Sequence, residues 1–147
     1  LDGSEGASVQ YAACCRPVPG EPIMGYLGRG EGLVVHSSQC AVAQRLQHKD
    51  SERFIAVDWS EEPTRPFEAR IVVTARNGKG TLARIAANLA RSEADITHVD
   101  MDEQTAMDTI DLRFSIAVHD LQHLETALRN LRRTADVLRA VRAMPQQ

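Results

Sequence analysis

No stretch of this 147-residue chain approaches the roughly 20 consecutive apolar residues that a membrane-spanning helix requires. The opening segment LDGSEGASVQ has neither the basic start nor the apolar core of a secretory signal. An excess of charge of one sign is missing as well. Residues 1–66 carry six Lys/Arg against nine Asp/Glu, and residues 67–147 carry eleven against eleven. Neither half has the basic surplus of an electrostatic nucleic-acid footprint. Cysteine is scarce, with Cys14, Cys15 and Cys40 making the full set. Three thiols without a secretion signal fit a reducing, cytoplasmic setting, where they serve as ligands or reactive groups more often than as staples. The chain starts at Leu1 rather than methionine, which points to a piece of a longer polypeptide.

What is present is globular: 43% hydrophobic and 25% charged residues, the balance of a folded domain. Pro63 and Pro66 bracket a short polar segment within SEEPTRPFEAR, hostile to helix and strand alike. The expected organisation is a module over residues 1–62, a linker over 63–66 and a second domain over 67–147. In the second domain FEARIVVTA alternates, with Phe67, Ala69, Ile71 and Val73 on one face. TLARIAANLARS places Leu82, Ile85 and Leu89 at helical spacing, and ADITHVDM reads as a strand. MDTIDLRFSIAVH sets Ile110, Leu112, Phe114, Ile116 and Val118 against Asp111, Arg113 and Ser115. Leu121, Leu124, Leu128 and Leu131 form one helical stripe, with Asp120 as the expected N-cap. DVLRAVRAM closes as a strand. The expected fold class is α+β, with a ferredoxin-like βαββαβ second half. Its second sheet face, carrying Asp111, Arg113 and Ser115, is expected to be wet or lightly paired.

The first half is expected to hold a hairpin of strands at 23–27 and 33–36, a short helix over 39–48 and a strand over RFIAVDW, 53–59. About 60 residues in that layout make a thin core that a staple would help.

Cys14, Cys15, His36 and Cys40 are the first candidate site. Thiolate and imidazole are zinc donors, and His36-x-x-x-Cys40 falls where a strand ends and a helix starts. The vicinal pair is harder to accommodate, because adjacent side chains diverge on both helix and strand. A distorted turn is needed, and the Pro and Gly after the pair allow one. Small buried hydrophobes and a redox thiol pair stay open beside zinc. GYLGRGEG precedes a strand rather than a helix, so it reads as a hairpin turn and not a phosphate loop. His119-Asp120 lacks the further ligands of a metal-dependent phosphohydrolase, and His119 with His123 reads as a solvated pair. Trp59, the single tryptophan, reads as packing. The loop of ARNGKGTLARI leads into a helix N-terminus, where backbone N–H groups can receive a carboxylate. No residues with a catalytic arrangement stand out. An RNA contact would need Arg16, Arg29, Arg45 and Lys49 to cluster.

The segment YAACCRPVPGEPIMGYLGRGEGLVVHSSQC resembles the conserved-cysteine module of RelA/SpoT homologues, the enzymes that make and hydrolyse guanosine tetra- and pentaphosphate. The second half resembles the ACT domain of those proteins, with Asn77, Gly80 and Leu82 on its N-x-x-G-x-L loop. NGKGTLARI is more similar to the bifunctional SpoT-type branch. The resemblance implies a zinc-finger-like set at Cys14, Cys15, His36 and Cys40, with ribosome contact in some members. It implies amino-acid binding at Asn77, Gly78, Gly80, Thr81 and Leu82, for which a branched aliphatic ligand suits the apolar neighbours, in a homodimer. Gly78 stands where many ACT loops carry a side chain such as arginine. The synthetase and hydrolase domains, a GTP pyrophosphokinase and its opposing pyrophosphohydrolase, would lie upstream. The chain is then a non-catalytic regulatory fragment of a stringent-response enzyme.

Overall fold

The computed structural model describes residues 1–61, 63, 65–101 and 108–145. Met107, the expected opening of the third strand of the second domain, and Thr64 of the linker lie outside them. The chain forms two compact units, one built chiefly on residues 1–67 and the other on 68–118 and 122–143.

In the first unit, strands β1 (Val9–Tyr11), β2 (Ile23–Leu27), β3 (Leu33–Ser37) and β4 (Phe54–Ile55) pair in the order β1-β3-β2-β4. Helix α1 (Ala41–Lys49) comes after β3. The β2–β3 hairpin has the predicted bounds to within one residue, and the Gly28 N–H donates to the Gly32 carbonyl (3.0 Å) to close its turn. Gly32 has φ 75°, and a Cβ there would stand 2.5 Å from the Ser8 carbonyl oxygen. Only glycine fits that approach. Strand β1 is absent from the sequence expectation. It pairs in parallel with β3, Tyr11 opposite Val35, and three residues are too few to show alternation. The strand expected over 53–59 shrinks to Phe54–Ile55, because pairing with β2 ends at Gly25 opposite Ile55. Trp59 leaves the sheet. It stacks on Tyr11 (ring centroids 5.9 Å apart, planes at 3°), meets Phe67 edge-on and donates its indole N–H to the Glu21 carbonyl (3.0 Å).

The second unit runs β5 (Phe67–Arg76), α2 (Thr81–Arg91), β6 (Asp95–Met101), β7 (Thr109–Val118), α3 (Leu121–Arg132) and β8 (Val137–Arg142). The sheet order β6-β7-β5-β8 is that of a ferredoxin-like βαββαβ domain, as the alternation predicts. Ala69, Ile71, Val73 and Ala75 of β5 are buried with Leu112, Phe114, Ile116 and Val118 of β7. Ile85 and Leu89 of α2 join them, as do Leu124, Ala127, Leu128 and Leu131 of α3. Ala127 replaces Leu121 in the buried stripe; Leu121 is half-buried. The opposite sheet face is less bare than expected. Thr74 donates to Asp111 across β5 and β7 (2.6 Å), and Ser115 is buried. His123 is half-buried rather than solvated and bonds the Ser92 carbonyl (2.7 Å).

Phe114 is 1% exposed and Leu138 is 50% exposed. Phe114→Ala is expected to cost about 3–5 kcal/mol, and Leu138→Ala no more than about 0.5 kcal/mol. Urea denaturation followed by circular dichroism checks both. Equal effects would place the second core elsewhere.

Candidate functional site

The two cysteines reach one point through the backbone turn at the end of β1. The parallel pairing of β1 with β3 continues one residue further, the Ala12 N–H donating to the Val35 carbonyl (2.9 Å). The backbone then coils once, with the Arg16 N–H bonded to the Ala12 carbonyl (2.9 Å). Arg16 closes the coil at φ 46°, a left-handed conformation that a non-glycine residue seldom takes. This is the distorted turn that adjacent ligands require, although Arg16 rather than the later Pro-Gly pair makes it.

Ser37 shapes the other side. It is fully buried, its Oγ accepts the Gln39 N–H (3.2 Å), and its carbonyl accepts the Cys40 N–H (3.1 Å). The chain thereby folds back so that His36, near the end of β3, and Cys40, the N-cap of α1, face the same space. The Ser37 N–H also donates to the Cys15 sulfur (3.3 Å). Nothing in the sequence pattern marks Ser37, though a serine before a helix is a usual turn former.

The donor atoms of Cys14, Cys15, His36 and Cys40 all lie within 4.8 Å of one another. Cys14 Sγ stands 3.5 Å from His36 Nδ1 and 3.6 Å from Cys40 Sγ, and Cys15 Sγ stands 3.9 Å from His36 Nδ1. A zinc tetrahedron with bonds of about 2.3 Å to sulfur and about 2.0 Å to nitrogen has edges of about 3.8 Å (S···S) and about 3.5 Å (S···N). The residues fit the ion in donor type, number and spacing. Three members are buried and Cys14 is half-buried. The positive end of α1 at Cys40 suits an anionic sulfur. Burial pushes the Cys14 thiol up, helped by its hydrogen bond with Cys40, and pushes the Cys15 thiol up much further. Burial also lowers His36, which keeps the imidazole neutral and able to donate its lone pair.

The core around these atoms is small. Ala12 and Ala43 are its buried hydrocarbon, with Met24, Val34 and Val42 partly buried against it. His119 and His123 are not part of this or any other such donor group among the described residues.

In the second unit, Asn77, Gly78, Gly80, Thr81 and Leu82 share the wall of one cavity of about 410 Å³. Met101 and Ile110, which sequence reasoning does not single out as site residues, complete its apolar side. Gly80 is the N-cap of α2 at φ 78°. The Thr81 N–H is directed at the Gly78 carbonyl (3.4 Å). Arg84 bonds the Lys79 carbonyl and pairs with Asp136 (2.8 Å), so a cation stands beside the loop. Of the basic residues considered for RNA contact, Arg29, Arg45 and Lys49 are exposed, and Arg45 and Lys49 lie one turn apart on α1.

Comparison with known families gives the assignment. The RelA/SpoT RIS domain family matches residues 1–60 and an ACT domain family matches residues 63–142. The chain belongs to the RelA/SpoT family, matching its C-terminal region. It is 30% identical over 142 residues to the bifunctional (p)ppGpp synthase/hydrolase SpoT of Escherichia coli, covering 97% of this chain and 20% of that protein. It is 34% identical over 147 residues to the bifunctional (p)ppGpp synthase/hydrolase RelA of Mycobacterium tuberculosis, with the same coverage. The chain therefore spans about a fifth of the length of these RelA/SpoT relatives. The crystal structure of the ACT domain from the GTP pyrophosphokinase of Chlorobium tepidum superposes with a TM-score of 0.46 at 18% identity, over 52% of this chain and 97% of that one.

The titrations of the RIS module predict a window of stability. Unfolded thiols ionise near about pH 8.5 and unfolded histidine near about pH 6.5. Raised thiols in the fold mean that the unfolded chain sheds protons first as pH climbs, so stability falls. Lowered His36 means that the unfolded chain gains a proton first as pH drops, so stability falls again. With a chelator present, the urea midpoint of this module is expected to be highest between about pH 6.5 and 8.5 and lower on both sides. Tyr11 and Trp59 fluorescence reads it. A midpoint that keeps rising into alkali would contradict the burial of Cys15.

Proposed function

We propose that the chain is the non-catalytic regulatory region of a stringent-response (p)ppGpp synthetase/hydrolase, carrying a signal to catalytic domains upstream in its parent protein. The RIS and ACT matches in succession support this reading, as does the chain's span of only a fifth of its bifunctional relatives. The domain limits we propose are 1–62 for the RIS module and 67–147 for the ACT domain, joined at 63–66.

Within the module, Cys14, Cys15, His36 and Cys40 hold one zinc ion. The observation that carries this is the convergence of all four donor atoms within 4.8 Å, with Cys14 at tetrahedral-edge distance from His36 and Cys40. The ion would supply a structural cross-link and no chemistry, since four protein donors close its coordination. It compensates a core whose buried apolar side chains, Val18 and Val35 apart, are alanine and cysteine. Apparent zinc-binding free energies in small modules reach about 10–16 kcal/mol.

In the ACT domain, the proposed ligand is a branched aliphatic amino acid. Asn77 would take its ammonium group, the backbone around Gly80 and Thr81 its carboxylate, and Leu82 its side chain. Exposed Leu82, Val99 and Met101, the last two on β6 at one edge of the sheet, favour a second copy pairing there. The ribosome is the proposed large partner, met through Arg29, Arg45 and Lys49.

Metal analysis of the purified chain should find about one zinc per molecule, and a strong chelator should lower the melting temperature. Full stability without metal would leave packing as the account of the cysteines. Calorimetric titration with valine, leucine and isoleucine should give micromolar or weaker binding that Gly80→Ala weakens, since alanine at φ 78° is strained by about 1–2 kcal/mol. No heat from a monomeric chain would remove both the ligand and the pairing. Pyrophosphate transfer and hydrolysis should be absent; turnover lost on mutating this chain would overturn the regulatory reading.

A further inference from the structure

The four donors of the RIS module are not equivalent. Cys15, His36 and Cys40 are 1%, 5% and 0% exposed, whereas Cys14 is only partly buried. The Cys14 and Cys40 sulfurs, both thiols, stand 3.6 Å apart. We propose that Cys14 and Cys40 form a reversible disulfide under a peroxide-class oxidant, a covalent state that excludes metal from the same atoms.

Exposure assigns the roles. Cys14 is the sulfur that a small oxidant can reach, and Cys40, sealed from solvent, can react only with a neighbouring sulfur. In the first step the Cys14 sulfur displaces water from the peroxide; the O–O bond breaks and a sulfenic acid forms. In the second, the Cys40 sulfur attacks the sulfenic sulfur, the S–O bond breaks and a second water leaves. Two thiols and one hydrogen peroxide give one disulfide and two waters.

The geometry selects this pair. The sulfurs must close from 3.6 Å to about 2.0 Å. Cys14 sits on the coil after β1 rather than within a sheet ladder, so its side chain can make that movement. Cys15 is enclosed and already accepts the Ser37 N–H. A Cys14–Cys15 bond would close a strained ring across one peptide link, because adjacent Cα atoms about 3.8 Å apart fall short of the about 5.5 Å that disulfides prefer. With Cys14 and Cys40 joined, Cys15 and His36 remain, two donors where a structural zinc site needs four. The disulfide does not require that zinc ever binds, so it goes beyond the metal reading.

To test this, the purified chain, both metal-free and zinc-loaded, is exposed to hydrogen peroxide. Remaining thiols are then alkylated under denaturing conditions and the peptides mapped by mass spectrometry. The expected product has lost two hydrogens, carries a single alkylated cysteine, Cys15, and yields a linked Cys14–Cys40 peptide that dithiothreitol separates. Cys40→Ser should stop at a Cys14 sulfenic acid that dimedone traps, whereas Cys15→Ser should still form the bond. A Cys14–Cys15 link, cross-linked dimers, three alkylated cysteines or sulfinic acid at Cys14 in the unmodified sequence would each overturn the proposal. These outcomes are read from the unmodified chain, so a misfolded variant does not leave the question open. Zinc release, measured with a chromophoric chelator, is a separate readout: a Cys14–Cys40 bond with no zinc ever bound would defeat the metal reading alone.

Discussion

The convergence of Cys14, Cys15, His36 and Cys40 within 4.8 Å is the constraint on which the first half of the chain depends. The strands of that half are short, and its helix buries only Ala41 and Ala43. Besides Val18 and Val35, the buried apolar side chains of this half are alanine and cysteine, which bury little surface, and apolar burial stabilises in proportion to area. Every backbone device nearby serves the convergence. The parallel β1–β3 pair brings residue 12 beside residue 35, the coil ending at Arg16 turns both cysteines inward, and the buried Ser37 folds Cys40 back toward His36. A left-handed arginine costs free energy; the proposed metal coordination would offset it.

The ACT half rests on different physics. Its core is large and aliphatic, with Ile71, Ile85, Leu89, Phe114, Leu124 and Leu131 all below 2% exposure, and it needs no staple. What it leaves unfinished is an edge. Strand β6 is exposed along nearly its whole length, and Val99 and Met101 are apolar there. The loop cavity opens beside that edge, with Met101 in its wall. One domain therefore places together a polar loop, an apolar wall and a strand edge without a partner among the described residues, the combination that the proposed amino-acid site between two copies would use.

Most of the second half was legible in the sequence. The alternation of Ile110 to Val118 and the spacing of Ile85 and Leu89 have periods that distinguish strand from helix. The first half was legible in part. The hairpin announced itself through glycines at 28, 30 and 32, and the ligand set through residue type. Strand β1 was hidden because its partner is over twenty residues away and its three residues carry no pattern. The strand expected over 53–59 was cut short by its pairing, not by its own residues, since Val57 is an ordinary strand former. The vicinal cysteines were ambiguous for a local reason: the coil that carries them closes at a left-handed Arg16, and arginine is not a residue whose sequence context signals a left-handed turn. Arg84 was missed because an exposed helical arginine has no pattern, and its place beside Gly80 emerges only when Asp136 is brought near.

X-ray absorption at the zinc edge, taken on the zinc-loaded chain under reducing conditions, tests the central claim most directly. The expected coordination shell is three sulfurs at about 2.3 Å and one imidazole nitrogen at about 2.0 Å. A shell made of nitrogen and oxygen alone, or one with two sulfurs and bound water, would contradict it and return the vicinal cysteines to the hydrophobic core.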